Sequence, residues 1–223
     1  MDPALHPRTK ICCIQNVEEA WLAIEHGADA IGLVSAMPSG PGPIPEHRIA
    51  EIARAVPPGV DAFLLTSRAD AAGLVEQVRA LGVRTVQLVD RVETGAYQAL
   101  QAAVPHVRRV QVVHVSGEEA VLQAVAAAGN VQAILLDSGD PSLPVKELGG
   151  TGRTHDWAVS RLIREAIHVP LWLAGGLHAG NVAEAIATVG PFGVDVCSGV
   201  RTNGRLDRVK LARFVTAVRA AAA

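Results

Sequence analysis

Residues 169–200 read VPLWLAGGLHAGNVAEAIATVGPFGVDVCSGV, and the pattern of this segment indicates the fold class. It contains two short apolar runs, at 169–174 and 193–197, which flank an amphipathic segment at 178–189. Apolar runs of this length predict buried strands, and the amphipathic segment predicts a surface helix. A strand, a helix and a second strand in so short a span are typical of a parallel β-α-β unit.

The same unit recurs along the chain. Apolar runs predict eight strands, at KICCI (10–14), DAIGLV (29–34), VDAFLL (60–65), RTVQLV (84–89), RRVQVVHV (108–115), VQAILL (131–136), VPLWLA (169–174) and GVDVC (193–197). Amphipathic segments predict eight helices, near 16–26, 45–55, 69–81, 93–103, 117–128, 156–166, 178–189 and 207–222. Such units close either into a (β/α)8 barrel or into an open doubly wound sheet.

Of these two arrangements, the sequence favours the barrel. The unit count is eight, and no GxGxxG segment follows the first strand as it would in a dinucleotide-binding sheet. A length of 223 residues lies within the range for such barrels, and no proline- or serine-rich linker divides the chain. We therefore predict an α/β fold with a single (β/α)8 TIM barrel domain over residues 1–223, of which residues 1–9 form a short amino-terminal extension.

Composition excludes several classes of protein. A net charge of −2 argues against broad contact with nucleic acid or an anionic membrane, and 3 % aromatic residues are too few for a single-strand stacking platform. The sequence contains neither an apolar run long enough to span a membrane nor a signal-peptide core. Its three cysteines have no disulfide or zinc-ligand spacing. We expect a soluble, reduced, cytoplasmic protein without nucleic-acid or membrane partners.

Two loops at the predicted carboxyl ends of the strands, where barrel active sites lie, are unusual. Residues 35–45 hold four prolines and no charge, and residues 137–154 form a loop long enough to act as a lid. Glycine-containing turns follow strands six, seven and eight, at GGTGR (149–153), AGGL (174–177) and CSGVR (197–201). Together these turns suit a phosphate group, although each alone only indicates a tight turn. Arg201 either adds charge there or lies on the solvated rim.

Three further side chains are candidates for chemistry at the strand ends. Asp137 follows an apolar run, so it is either a general acid whose pKa is raised by burial or a loop cap. Asp195 binds a sugar hydroxyl or satisfies buried backbone. Cys12 is either an inert buried residue or a base whose thiolate is favoured by Lys10, which shares its face of the strand. No metal-ligand motif is present, and we expect no metal.

Several motifs together resemble the phosphoribosylanthranilate isomerase family, in the family's order and over about residues 10–220. They are KIC (10–12), GADAIGLV (27–34), VQL (86–88), LLDS (135–138), GGTGRTHDW (149–157), LAGGL (173–177), NVAEAI (181–186) and GVDVCSGV (193–200). The resemblance implies a (β/α)8 barrel. It also implies an Amadori rearrangement in tryptophan biosynthesis, in which a phosphorylated N-ribosyl anthranilate becomes a 1-amino-2-keto sugar without a cofactor.

The resemblance also assigns roles to individual residues. The Cys of KIC, here Cys12, is the general base, and the Asp of LLD, here Asp137, is the general acid. The Asp of the DV motif, here Asp195, contacts the sugar. The phosphate of this small substrate is held by the glycine-rich turns, which correspond to Gly150, Gly152, Gly175, Gly176, Ser198 and Gly199.

Three departures from the family pattern lie on the side of the anthranilate ring. Cys13 stands where the family usually has Gly, and Val89–Asp90 stands where it usually has His-Gly. SGPGPIP (39–45) lacks the Arg that meets the anthranilate carboxylate in the family. Three hypotheses follow: an isomerase for phosphoribosylanthranilate anchored by Arg68 or Arg91, an isomerase for another phosphorylated amino sugar, or a non-catalytic phosphate-ligand-binding barrel. The oligomeric state stays open.

Overall fold

The computed structural model describes residues 6–150 and 152–221. Within those residues, eight parallel strands pair in chain order, and the eighth also pairs with the first, so the sheet closes into a barrel. The strands are β1 (Arg8–Ile11), β2 (Ala30–Val34), β3 (Asp61–Thr66), β4 (Thr85–Leu88), β5 (Arg108–His114), β6 (Ala133–Asp137), β7 (Leu171–Leu173) and β8 (Gly193–Val196). The predicted (β/α)8 barrel is confirmed.

Each strand is followed by a helix that covers the outside of the barrel. The helices are α1 (Val17–Glu25), α2 (Glu46–Ala55), α3 (Ala71–Leu81), α4 (Thr94–Ala103), α5 (Glu119–Ala128), α6 (Trp157–Ala166), α7 (Val182–Val189) and α8 (Arg208–Ala220). A 3-10 turn (Ser198–Val200) and a two-stranded ribbon, β9 (Arg201–Thr202) and β10 (Arg205–Leu206), lie between β8 and α8. None of the described helices has the length and apolarity needed to cross a bilayer.

The amino end of the barrel differs from the sequence prediction. Strand β1 begins at Arg8, inside the predicted extension of residues 1–9, because Arg8 pairs in register with Gly193 of β8. Residues 1–5 of that extension lie outside the described residues. The remaining element boundaries fall within a few residues of those predicted.

Two apolar layers follow from the alternation of side chains along each strand. In β2, Ile31 and Leu33 pack outward against the helices, whereas Ala30 and Val34 point into the barrel. Phe63 and Trp172 fill the interior, with ring centroids 5.6 Å apart in an edge-to-face arrangement. The interior of the barrel is therefore a packed core.

Candidate active site

A cavity opens at the carboxyl ends of the strands, where the sequence predicts the site. Its walls come from the turn after β1, the loop after β2, the carboxyl ends of β3 and β4, and the loops after β6, β7 and β8. Eight of the nine predicted site residues line it: Cys12, Asp137, Gly150, Gly152, Gly175, Gly176, Asp195 and Ser198. Gly199 lies behind the wall, with its Cα packed against the carbonyl of Leu177.

The thiol of Cys12 shares a tight space with a buried cation. The Lys10 side chain is fully buried, and its Nζ donates to Asp195 Oδ2 at 2.7 Å. A Cβ on Gly32 would lie 2.7 Å from Cys12 Sγ and 3.1 Å from Lys10 Nζ, so both groups converge over that glycine. Although burial alone would lower the pKa of Lys10, the Asp195 carboxylate raises it and keeps the ammonium charged.

The charged form of Cys12 is stabilised by this arrangement. The neighbouring Cys13 thiol lowers the pKa of Cys12, and the Lys10 ammonium lowers it further, against the opposing effect of burial. Cys12 Sγ is therefore suited to accept a proton from a molecule in the cavity.

Cys13 does not occupy the face that strand alternation predicts for it. Strand β1 ends at Ile11, and Cys13 adopts a left-handed conformation with φ of 62°, so its side chain also lines the cavity. A residue other than Gly is uncommon in this conformation. Cys12 and Cys13 therefore both line the cavity, because the alternation of side chains ends with the strand.

Arg201 has neither of the roles that its position next to the glycine turn suggested. Its guanidinium is buried and binds Glu19 through two hydrogen bonds, Nη1 to Oε1 at 3.1 Å and Nη2 to Oε2 at 3.0 Å. Nη2 also donates to the carbonyl of Cys13 at 2.5 Å. Arg201 therefore holds the backbone of the Cys12–Cys13 turn, and it neither contacts the cavity nor lies on the rim.

Asp137 lies at the end of β6, where the long loop folds back over it. Its Oδ1 accepts the backbone N–H of Ser138 at 2.7 Å, and its Oδ2 lies against Gly149, where a Cβ would clash. Burial raises the pKa of the Asp137 carboxyl above its ordinary value. This carboxyl therefore holds a proton more readily than a solvated aspartate does, as a general acid must.

The three glycine-containing turns meet at one side of the cavity. A Cβ on Gly152 would lie 3.7 Å from Ser198 Oγ, and a Cβ on Gly176 would lie 2.7 Å from the backbone N of Thr154. Gly150, Gly152, Gly175 and Gly176 all have positive φ, between 61° and 84°. Among the described residues, the N–H groups of Gly152, Gly176, Ser198 and Gly199 have no protein acceptor. We call this cluster of turns the glycine cradle.

The long loop after β6 reaches across the mouth of the barrel. Ser39 Oγ donates to the carbonyl of Lys146 at 2.5 Å, and Lys146 Nζ lies 2.5 Å from Asp90 Oδ2. These contacts connect residues 138–154 with the loops after β2 and β4. Below them the cavity wall is apolar, formed by Met37, Leu65, Val89 and Leu148.

Comparison with known proteins identifies the family of this chain. Residues 9–217 match the family model described as N-(5′-phosphoribosyl)anthranilate (PRA) isomerase. The chain belongs to the phosphoribosylanthranilate isomerase family. An isomerase of this family from Methanosarcina mazei is 36 % identical over 210 residues, which cover 93 % of this chain and 92 % of that protein. The Halobacterium salinarum enzyme is 35 % identical over 212 residues, 93 % of this chain and 94 % of that one.

Solved structures of phosphoribosylanthranilate isomerases have the same architecture. The Thermococcus kodakaraensis enzyme superimposes with a TM-score of 0.79 at 30 % identity, covering 96 % of this chain and 99 % of that one. A family member in complex with reduced 1-(o-carboxyphenylamino)-1-deoxyribulose 5-phosphate gives a TM-score of 0.77 at 27 % identity, with coverage of 96 % and 99 %. These members of the family therefore share the barrel, and one of them binds a phosphorylated compound.

The predicted carboxylate anchors are not part of the cavity wall. Arg68 lies next to Glu46, with Nη2 3.8 Å from Oε1, and its side chain is about half exposed. Neither Arg68 nor Arg91 lines the cavity. The expectation that one of them replaces the family's arginine is therefore not supported by their positions.

Two features of the site were not predicted from the sequence. Cys197 Sγ lies 2.7 Å from Cys13 Sγ on the cavity wall, a contact that no motif in the sequence indicates. Gln87 also points into the cavity, and its Oε1 has no partner among the described residues. The alternation of Thr85, Gln87 and Val89 along β4 is a signal that would have found Gln87.

His155 leads to a prediction about pH and stability. Burial lowers the pKa of this imidazole from its ordinary 6.5 to about 4, and within the described residues neither ring nitrogen has a partner. The unfolded chain therefore gains a proton between pH 6.5 and 4 that the folded chain does not bind. We expect the free energy of unfolding to fall by about 3 kcal/mol across this window because of His155.

Urea denaturation of the wild type and His155→Phe from pH 7 to pH 4 measures this contribution. The variant lacks the titrating group, so its free energy of unfolding should decline less steeply as the pH falls. Equal slopes for the two proteins would show that His155 is not buried in its neutral form.

Proposed function

We propose that this chain converts N-(5′-phosphoribosyl)anthranilate to the 1-amino-2-keto sugar of tryptophan biosynthesis, with Cys12 as general base and Asp137 as general acid. The observation that supports this most is that a thiol with a lowered pKa and a carboxyl with a raised pKa line one cavity. Opposite displacements of two pKa values are typical of an acid and base pair. Family membership supplies the reaction that such a pair performs.

The proposed reaction proceeds in two proton transfers. Asp137 donates its proton to the ring oxygen of the ribose as the bond from that oxygen to C1′ breaks, which gives an open-chain iminium. The Cys12 thiolate then removes the proton from C2′, and the electron pair of that C–H bond neutralises the iminium. The resulting enol becomes the ketone when C1′ takes up a proton from solvent and the hydroxyl on C2′ releases its proton to solvent. Each group needs only hydrogen-bond reach of its target atom.

The glycine cradle holds the substrate phosphate in this proposal. Its unpaired backbone N–H groups suit the phosphate oxygens, because an anion replaces the water that would otherwise satisfy them. Asp195 Oδ1 is buried in the same cavity and has no partner among the described residues, so we assign it to a sugar hydroxyl. Phosphate and sugar contacts together orient C1′ and C2′ between Cys12 and Asp137.

One observation favours a second candidate, an isomerase that acts on a different phosphorylated amino sugar. Among the described residues that line the cavity there is no lysine or arginine. The wall beside Met37, Leu65 and Val89 accepts an aromatic ring, but it offers no cation for the carboxylate of anthranilate. This candidate keeps the glycine cradle and the acid and base pair, and it changes only the group on the amino nitrogen.

Reaction in D₂O separates these candidates. The wild-type protein should convert phosphoribosylanthranilate to a product with one deuterium at C1′, because the proton added there comes from solvent. Turnover of a phosphorylated alkylamino sugar, with none of the anthranilate compound, would establish the second candidate. Binding of both compounds without deuterium incorporation would leave only a phosphate-binding barrel.

The reaction also sets expectations about cofactors and location. Internal proton transfer requires no cofactor, and we propose that none is used. We propose the cytoplasm as the location, because the reaction depends on the free thiol of Cys12 and a reducing compartment preserves thiols. In this proposal residues 1–223 act as one domain.

Gly32→Ala should displace the proposed base. A Cβ at this position would lie 2.7 Å from Cys12 Sγ, and the backbone there has no positive φ that would strain alanine. Because a shift of about 1 Å in a reacting group costs roughly 10²-fold, we expect kcat to fall by about that factor with a smaller change in KM. Gly129→Ala is the control, since a Cβ there meets no atom within 4 Å. Equal kcat values for the two variants would contradict the placement of Cys12.

A further inference from the structure

A pair of thiols on the cavity wall transfers no proton in the proposed reaction. Cys13 Sγ and Cys197 Sγ lie 2.7 Å apart, closer than two sulfur atoms that merely pack. Cys13 follows β1 and Cys197 follows β8, so the contact joins the turn beside the base to the turn that carries Ser198. Both residues line the cavity, which gives a small reagent a path to them.

The local backbone presents these two thiols to each other. Cys13 has φ of 62°, and Arg201 holds its carbonyl with a hydrogen bond of 2.5 Å. A Cβ on Gly42 would lie 2.6 Å from Cys13 Cβ, so the loop after β2 packs directly against this residue. The thiols are therefore fixed near each other before any reaction, and a shift of about 0.7 Å brings the sulfur atoms to disulfide length.

We propose that Cys13 and Cys197 form a reversible disulfide that lowers the activity of the enzyme. A small disulfide oxidant, such as oxidised glutathione, accepts two electrons and two protons from the thiols and becomes two reduced thiols. The S–H bonds of Cys13 and Cys197 break, and one S–S bond forms between them. A dithiol reductant reverses the exchange.

Oxidation affects the base because Cys13 is its neighbour in the chain. In the reduced enzyme the Cys13 thiol lowers the pKa of Cys12, and a disulfide sulfur has no proton with which to do so. We expect kcat/KM at neutral pH to fall by roughly tenfold, because less of Cys12 is then present as thiolate. This effect on turnover rests on the proposed function, whereas formation of the disulfide does not.

Peptide mapping after equilibration with oxidised glutathione tests the disulfide without an activity assay. The wild type should lose two of its three free thiols, and trypsin should release residues 11–48 joined to residues 165–201. Cys12→Ser should form the same link, because the base is not a partner in it. Cys13→Gly should form none, and glycine fits the left-handed backbone at that position.

Other outcomes would overturn the proposal. A disulfide that still forms in Cys13→Gly would show that Cys12 is the partner of Cys197. If the wild type only adds glutathione to Cys12, then Cys13 and Cys197 do not form a disulfide. The Cys197→Ser variant should keep its initial rate of turnover when it is treated with the oxidant that slows the wild type. A linked wild-type protein with undiminished turnover would contradict the effect on activity and leave the disulfide established.

Discussion

Replacing Cys12 by Ala is expected to lower kcat by roughly 10²–10⁴-fold, the usual contribution of a positioned general base. The thiol acts on the C2′ proton only after the substrate is bound, so KM should change much less than kcat. The cavity around Cys12 is held by Lys10, Asp195 and Arg201, none of which the substitution removes. Steady-state kinetics of the purified variant, followed by loss of substrate fluorescence, measures both parameters.

Cys197→Ala is the matched control for this substitution. Cys197 lines the same cavity and is also a free thiol, but the mechanism gives it no proton to move. Under reducing conditions its kcat should stay within a few-fold of the wild-type value. Equal losses in the two variants would show that damage to the cavity, rather than loss of a base, causes the effect.

Asp137→Asn should produce a loss of similar size, roughly 10²–10⁴-fold in kcat, because the amide has no acidic proton for the ring oxygen. Asn is nearly the same size as Asp, so the space beside Gly149 stays filled and the backbone N–H of Ser138 keeps an acceptor. Binding of the phosphate by the glycine cradle does not involve this carboxyl. Single-turnover measurements with excess enzyme report the chemical step directly.

Asp140→Asn tests whether any substitution in the loop after β6 lowers the rate of the chemical step. Asp140 lies on the same loop, is half-buried, and accepts hydrogen bonds from Ser142. Its substitution should leave the single-turnover rate close to that of the wild type. A wild-type rate in Asp137→Asn would mean that another group opens the ribose ring.

The fold was predictable from sequence because its unit is local. Each apolar run and its following helix lie within about thirty residues, so periodicity alone located all eight units. The start of β1 was not predictable, because Arg8 is polar and belongs to the strand only through its pairing with Gly193 of β8. Such a pairing exists only after the barrel has closed.

The site was predictable in part for the same reason. Cys12, Asp137 and the glycine turns occur at strand ends, so strand prediction and the family motifs located them together. The partners of these residues are far apart in the chain: Lys10 meets Asp195 across the β1–β8 seam, and Arg201 meets Glu19 of α1. The sequence placed Arg201 at the phosphate or on the solvated rim of the barrel, because a sequence shows the neighbours of a residue in the chain but not its contacts in space.

Consumption of N-(5′-phosphoribosyl)anthranilate by the purified wild-type protein, followed by the loss of its fluorescence, is the decisive test of the proposed isomerase activity. We expect saturable turnover without an added metal or cofactor. A folded protein that leaves the substrate unchanged, while other phosphorylated amino sugars raise its melting temperature, would contradict the claim.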